Sequence, residues 1–311
     1  MKALVLGANG FVGRHLARLL AERKYEVTGT FHKNLPDETQ TGFMRWVQLD
    51  ICHDADVLHL INDYRPEEVY HLAAVAVSTG REAELYYRVN FIGTLNLLKA
   101  IREYSSSARI LFVGTASAYG KVNPGDLPIR EEQPLRPLSH YAASKAAAES
   151  AAYAYASEGL YVILARPFNH TGPGQNTDYV CSGLAKQVAA MAVAKQEPVI
   201  EAGNLDVARD FTDVRDVVLA YWLLLQKGRP GEVYNVCSEK AYSIKEIVAL
   251  LGNAIGLDVR VKTREEFRRI NDIPLVIGSK RKISHVTGWE PIIPIERTLS
   301  DTVKFWQGKL G

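Results

Sequence analysis

The residue types best suited to chemistry stand in one stretch, Tyr141-Ala142-Ala143-Ser144-Lys145. The phenol and the ammonium are four positions apart, so a helix through them puts both on one face. A free tyrosine ionises near pH ~10. A nearby ammonium, joined by the positive ring of an oxidised nicotinamide, favours the phenolate. The same phenol can hand a proton to a carbonyl oxygen during reduction. The pair therefore suits redox chemistry on a carbonyl or alcohol. Unrelated surface pairs share this spacing, so a second feature must supply the redox partner.

Gly7-Ala8-Asn9-Gly10-Phe11-Val12-Gly13 is that feature. It follows an apolar run at 2–6 and opens a helical pattern near Phe11. Glycines there allow a tight turn and close backbone approach, and phosphates meet amides left free at a helix N-terminus. Strand, glycine loop and helix in this order form a dinucleotide fingerprint, here with the glycines spaced three and three. Gly7, Asn9, Gly10, Phe11, Val12 and Gly13 are the candidate cradle; a plain strand–helix turn is the alternative. The next strand ends Thr28-Gly29-Thr30-Phe31-His32-Lys33, without the acidic residue a ribose diol prefers. His32 and Lys33 can face a 2′-phosphate instead, which favours NADP, with NAD as the alternative. Asp50 and Ile51, ending the third strand, are candidate adenine contacts.

Gly114-Thr115-Ala116-Ser117-Ala118-Tyr119-Gly120 also follows a strand, a position beside the ligand crevice of a doubly wound sheet. Thr115 and Ser117 are candidates to polarise a substrate oxygen; local turn capping is the alternative. Asn90 is a candidate to order a water or bond backbone near Lys145, or else a satisfied buried amide.

Alternating elements must position these groups. Strands are expected at 2–6, 27–31, 45–49, 69–72, 109–113 and 162–165. Helices are expected from 11, at 57–64, as one long amphipathic helix at 87–103, and at 139–157. This alternation implies an α/β fold, a Rossmann-type doubly wound parallel sheet. Composition shifts after Arg166-Pro167, and 169–178 reads as an ordered loop. Further helices are expected at 179–195, 214–225, 243–252 and 294–307, with a strand at 233–236. The domain expectation is a cofactor domain at 1–166, with 211–238 crossing back to it. A smaller α/β substrate domain would take 167–210 and 239–311.

The 311 residues allow about two domains of the usual ~100–200 residues. With 47% hydrophobic and 23% charged residues, the composition is that of a soluble globular chain. The net charge of +2 provides no general attraction to nucleic acid or membrane. Cys52, Cys181 and Cys237 are far apart and suggest neither metal site nor disulfide framework. With no apolar stretch of membrane length at the start, a cytoplasmic location is expected.

These motifs resemble the extended short-chain dehydrogenase/reductase family over nearly the full length. The resemblance implies that the three-glycine loop binds the pyrophosphate and that Tyr141 and Lys145 are catalytic, with Lys145 also on the nicotinamide ribose. His71-Leu72-Ala73-Ala74 is similar to the family's strand-four cofactor motif, Asn90 sits at its usual asparagine, and Thr115 matches its catalytic hydroxyl. The nucleotide-sugar branch is nearer, in particular the reductases of GDP-linked 4-keto-6-deoxymannose. That likeness rests on the run from Arg166 to Gln175, on Gly203-Asn204-Leu205-Asp206, on the run from Arg209 to Asp216, on Arg269 with Ile277-Gly278-Ser279, and on Gly288-Trp289-Glu290-Pro291. It implies Asn169 at the substrate diphosphate, Arg209 and Arg269 on phosphate or the distal nucleoside, and Lys186 nearby. A planar guanidinium suits phosphate because it can bind two oxygens at once. A homodimer through two helices, including 139–157, is also implied.

One position departs from the pattern. Related dehydratases carry Thr-Ser-Glu, and related reductases Ser-Ser-Glu, where this chain has Thr115-Ala116-Ser117. The dehydratase glutamate helps remove a sugar proton, and a hydroxyl cannot be that base near neutrality. The expectation is therefore an NADPH-dependent 4-ketoreductase acting on a nucleotide-diphosphate 4-keto-6-deoxyhexose, GDP-linked in preference. An NAD-dependent 4-epimerase and a non-catalytic dinucleotide sensor are the alternatives.

Overall fold

The strands expected up to residue 165 form one parallel sheet: β1 (Lys2–Leu6), β2 (Glu26–Phe31), β3 (Met44–Gln48), β4 (Glu68–His71), β5 (Arg109–Val113) and β6 (Tyr161–Pro167). The computed structural model describes residues 1–33, 44–76, 82–194, 197–264 and 273–311. Helices α1 (Phe11–Glu22), α2 (Asp54–Tyr64), α3 (Ala83–Tyr86), α4 (Gly93–Tyr104) and α5 (His140–Ser157) connect the strands. Both faces of the sheet are covered, so side chains alternate between two cores. Ala3 and Val5 join Leu16 and Leu20 of α1, whereas Leu4 and Leu6 join Val57, Ile61, Leu97 and Ala148 on the other face.

Later segments supply β7 (Asn169–Thr171), β8 (Val199–Ala202), β9 (Ala208–Asp213), β10 (Val233–Val236), β11 (Ala241–Ser243), β12 (Arg260–Thr263) and β13 (Leu275–Val276). Their helices are α6 (Val180–Ala194), α7 (Val214–Lys227), α8 (Ile244–Ile255), α9 (Arg281–Thr287) and α10 (Ile295–Leu310). β10 returns to pair with β6, giving the main sheet the order β10-β6-β5-β4-β1-β2-β3. The other late strands form the small sheet β11-β9-β13, with β7 on β9, and the pair β8–β12. A separate core of α6, α8 and α10 side chains, including Leu184, Val188, Ile247, Leu251 and Leu299, supports them.

Three differences from the sequence expectation bear on the site. The long helix expected at 87–103 contains a π-helical turn, Tyr87–Ile92, between α3 and α4. The expected loop at 169–178 begins as strand β7, paired with 211–213 of β9. Those residues thus lie in the small sheet, and the chain turns back toward the main sheet only with α7, whose Val217, Tyr221 and Leu224 pack in the α1 core. Among the described residues no helix is long and apolar enough to cross a membrane.

Candidate active site

The main sheet changes winding direction between β1 and β4, and parallel sheets bind ligands at the carboxyl ends of strands beside such a point. Gly7 leaves β1 with φ +76°, and a Cβ on it would stand 2.9 Å from the Ala73 backbone after β4. At Gly13 a Cβ would come within 2.6 Å of Ala8 and the Gly7 carbonyl. Only glycine lets α1 start this close to the loop. Thr30 secures the turn from β2: its hydroxyl accepts the Gly7 N–H at 3.1 Å and its carbonyl the Ala8 N–H at 3.0 Å. No side chain caps the N-terminus of α1 at Gly10. Its first-turn amides therefore remain available to an anion, and a dinucleotide pyrophosphate fits this cradle.

The other cofactor candidates line the same edge. Leu72 donates its N–H to the Leu6 carbonyl at 3.1 Å, which holds 72–74 beside the glycine loop. His32 and Lys33 are exposed just past β2, with the His32 carbonyl accepting from Gln48. The Asp50 carboxylate accepts the Cys52 N–H at 3.0 Å. Burial works to raise its pKa, yet that bond and nearby histidines leave it lowered. Ile51 is buried against Gly93, where a Cβ would stand 2.6 Å from its side chain.

The proton-handling groups converge from α5 and the turn after β5. Ser139 caps α5 by accepting the Ala142 N–H, so Tyr141 projects from the first turn and the buried Lys145 from the next. Thr115 begins a 3-10 turn and accepts the Ser117 N–H at 3.2 Å, while Ser117 itself is exposed. Burial pushes the Tyr141 phenol up to about 12, and a hydrogen bond with Thr115 pulls against that. The local-capping reading of Thr115 is thus met, and its hydroxyl also lies close enough to act on the Tyr141 phenol. Lys145 Nζ lies 4.7 Å from the centre of the Phe112 ring. Burial lowers its pKa to about 8, opposed by Glu149. The expectation that an ammonium would shift Tyr141 toward phenolate is not met in the protein alone. Desolvation prevails, and the phenol stays neutral, the form that can donate a proton.

Asn90 is a buried, satisfied amide with a structural task. Its Oδ1 accepts the Val75 N–H at 2.8 Å, and its Nδ2 donates to the Ser144 hydroxyl at 3.0 Å. The π-turn places it there, and such turns often mark functional sites. The amide thus joins the segment after β4 to α5. Sequence reasoning passed over Glu149 and took His71 only as the first residue of a cofactor motif. His71 bonds Thr94 through Nε2 at 2.8 Å, and burial with the Lys145 charge lowers its pKa to about 3. Glu149 forms a buried pair with Arg166, Nη2 to Oε1 at 2.6 Å. A lone carboxylate on the alanine-rich face of α5 was the available signal.

The substrate candidates are more scattered. Asn169 is exposed on β7. Arg209 on β9 donates Nη1 to the carbonyls of Ala208 and Ile273 at 2.9 and 2.7 Å. Lys186 is exposed on α6, its ammonium 5.4 Å from the centre of the Trp306 ring. Arg269 lies outside the described residues. The loop after β7 is joined directly to α1: Arg14 donates to the Gly174 carbonyl at 3.3 Å, and His15 Nε2 lies 3.0 Å from the Pro173 carbonyl. This contact brings the Asn169 strand to the mouth of the dinucleotide loop.

Comparison with known proteins places this geometry among sugar-nucleotide enzymes. Residues 4–302 match the family model described as GDP-mannose 4,6 dehydratase. The chain is 34% identical to GDP-6-deoxy-D-mannose reductase of Pseudomonas aeruginosa, over 99% of this chain and 98% of that protein. It is 33% identical to GDP-6-deoxy-D-talose 4-dehydrogenase of Aggregatibacter actinomycetemcomitans, over 93% and 92% of the two. The solved structure of RMD from Pseudomonas aeruginosa complexed with NADPH superposes with a TM-score of 0.86 at 34% identity, covering 99% of this chain and 98% of that one.

Proposed function

The chain belongs to the GDP-mannose 4,6-dehydratase family of extended short-chain dehydrogenases/reductases, and within it we propose an NADPH-dependent reductase of the C4 ketone of GDP-4-keto-6-deoxy-D-mannose, forming GDP-6-deoxy-D-mannose. The observation that carries this reading is the placement of Tyr141 and buried Lys145 one turn apart on α5, with the Thr115 turn after β5, at the carboxyl edge of the sheet. Gly7, Asn9, Gly10, Phe11, Val12 and Gly13 hold the pyrophosphate. Leu72, Ala73, Ala74, Asp50 and Ile51 flank the nucleotide, and His32 and Lys33 face the 2′-phosphate. NAD is the alternative cofactor. When bound, NADPH supplies the hydride to C4 of the sugar.

The protein's own groups manage the proton and the charge. As the carbonyl π bond opens, the C4 oxygen takes the Tyr141 proton and Thr115 steadies it by hydrogen bonding. Lys145 offsets the negative charge left on the phenol and binds the nicotinamide ribose. Asn90 holds the Val75 segment against α5, so the geometry exists before substrate arrives. Asn169, Lys186, Arg209 and Arg269 receive the diphosphate and nucleoside. Exposed Ser117, in the place of a family glutamate, lacks the basicity for dehydration, whereas hydride delivery to a ketone does not need that base. A homodimer through two helices of the cofactor domain, α5 among them, and a cytoplasmic location complete the proposal. Exposed Tyr153 on α5 is compatible with such a contact.

D-Talose is the C4 epimer of D-mannose, so the two relatives in the comparison differ in product configuration at the reacting carbon. The test is therefore to supply GDP-, dTDP-, UDP- and CDP-linked 4-keto-6-deoxyhexoses with NADPH or NADH and to assign product stereochemistry by NMR. NADPH oxidation with the GDP-linked ketone and a manno product is expected. Oxidation with no ketone, or exchange of C4 epimers without added cofactor, overturns the reading.

A further inference from the structure

The face of α5 that carries Tyr141 and Lys145 continues one turn further to Glu149. Its carboxylate is 5% exposed and is gripped by Arg166 through two nitrogens: Nε lies 3.1 and 3.0 Å from the two oxygens, and Nη2 lies 2.6 Å from Oε1. A Cβ on Gly114 would stand 3.0 Å from Oε2, so the carboxylate packs against the residue immediately before Thr115. Arg166 also donates to the Tyr119 hydroxyl at 2.8 Å and the Glu131 carbonyl at 3.1 Å, and Tyr119 donates to Asn235 at 2.7 Å. Behind Lys145, then, one carboxylate joins α5, the Thr115 turn and β6. Buried ion pairs are an inefficient source of stability, because desolvation offsets much of their attraction.

We propose that Glu149 is a positioning residue: held by Arg166, its carboxylate keeps Lys145 charged and sets the backbone that presents Thr115. This inference rests on the reductase reading of the site. Among the described residues, the groups around Lys145 come from three elements. Tyr141 and Glu149 lie on its own helix, His71 comes from β4, and Phe112 from β5 offers only a ring. Arg166 from β6 stands beyond Glu149, with Tyr119 and Glu131 behind it. His71 is held neutral and burial raises the Tyr119 phenol, so neither balances the ammonium. Burial alone would pull Lys145 below its value of about 8, and Glu149 opposes that pull.

Glu149→Gln keeps the shape, removes the charge and leaves Arg166 unpaired. The pH profile of kcat/KM reports groups of the free enzyme, and reduction needs Lys145 charged. In the wild type the alkaline limb should fall near pH 8. In the glutamine variant it should move lower by about one unit, as loss of a nearby opposite charge predicts. Glu149→Asp keeps the charge and should restore the limb even where it lowers Tm. Should the single variant fail to fold, Glu149→Gln with Arg166→Met carries the same prediction, since apolar replacement of a buried pair is often tolerated. A limb that stays in place in the folded variant overturns the proposal. Lysine-ε ¹³C NMR, assigned by the resonance lost in Lys145→Met, reads the same titration without turnover. A wild type inactive on every ketone would therefore sink the reductase reading, whereas an unmoved Lys145 resonance would sink the role of Glu149.

Discussion

In the main sheet each of the seven strands lies parallel to its neighbours; in the small sheet, β9 pairs with β7, β11 and β13, drawn from three separate stretches. The first region is held by two-sided burial of aliphatic side chains. In the second, buried carboxylates gather distant segments. Asp210 accepts the N–H groups of Ser238, Glu239 and Gly278 and the Ser238 hydroxyl. Asp213 takes Arg215 and the Thr298 hydroxyl. Asp216 takes the N–H groups of Ile292 and Ile293. One short stretch of chain thus pins three remote pieces. The cofactor region depends on space that only glycine leaves free, and the substrate region on acceptors that only burial makes decisive.

This contrast can be broken most forcefully at the cofactor edge. Tyr141→Phe should lower kcat for ketone reduction by roughly 10²–10⁴-fold, as expected for loss of a general acid. NADPH affinity, followed by fluorescence titration, should hardly change; parallel loss of both would mean the phenol serves binding. Gly7→Ala should come next. The added Cβ meets the Ala73 backbone at a positive φ, a strain on the order of 1–3 kcal/mol. Weaker NADPH binding and a lower Tm are expected, while an alanine variant with wild-type affinity would refute close packing at the switch point.

The substrate region should respond differently. Asp210→Asn leaves donors facing an amide and should cost about 1–3 kcal/mol of stability. It should raise KM for the nucleotide sugar more than it weakens NADPH, and steady-state kinetics decide. Burial pushes the carboxyls of Asp210 and Asp216 up to about 6, from an ordinary value of 3.8. Both bind protons more tightly folded than unfolded. Their contribution is complete below the unfolded value and is lost as pH rises through about 6. Thermal melts should show that decline, and Asp216→Asn should flatten it. The smallest effect is expected at an exposed charge: Lys33→Ala should reduce the preference for NADPH over NADH only a few-fold, because solvent screens such contacts. An unchanged preference would remove Lys33 from the 2′-phosphate site.

Much of the cofactor edge was legible because its requirements are local. The glycine spacing, the four-residue step from Tyr141 to Lys145 and the hydroxyl after β5 depend on helix and turn geometry that short segments impose by themselves. Strands such as β1 and β5 were readable for the same reason, since burial on both faces favours apolar residues at successive positions. The π-turn at Asn90 was not legible, because its sequence carries an ordinary helical pattern and no local residue marks the wider turn. Nor was β7, whose short polar stretch becomes a strand only by pairing with β9.

Sequence by itself thus determined the parallel α/β frame, the glycine loop between β1 and α1 and which side chains are candidates to handle a proton. Tertiary structure decided which of those side chains are charged and what stands behind them. Desolvation keeps the Tyr141 phenol protonated, and Arg166, coming from another strand, holds the Glu149 carboxylate beside Lys145. The physical reason is range: helix periodicity and turn conformation act over a few residues, whereas burial and charge pairing depend on groups that only the completed fold brings together.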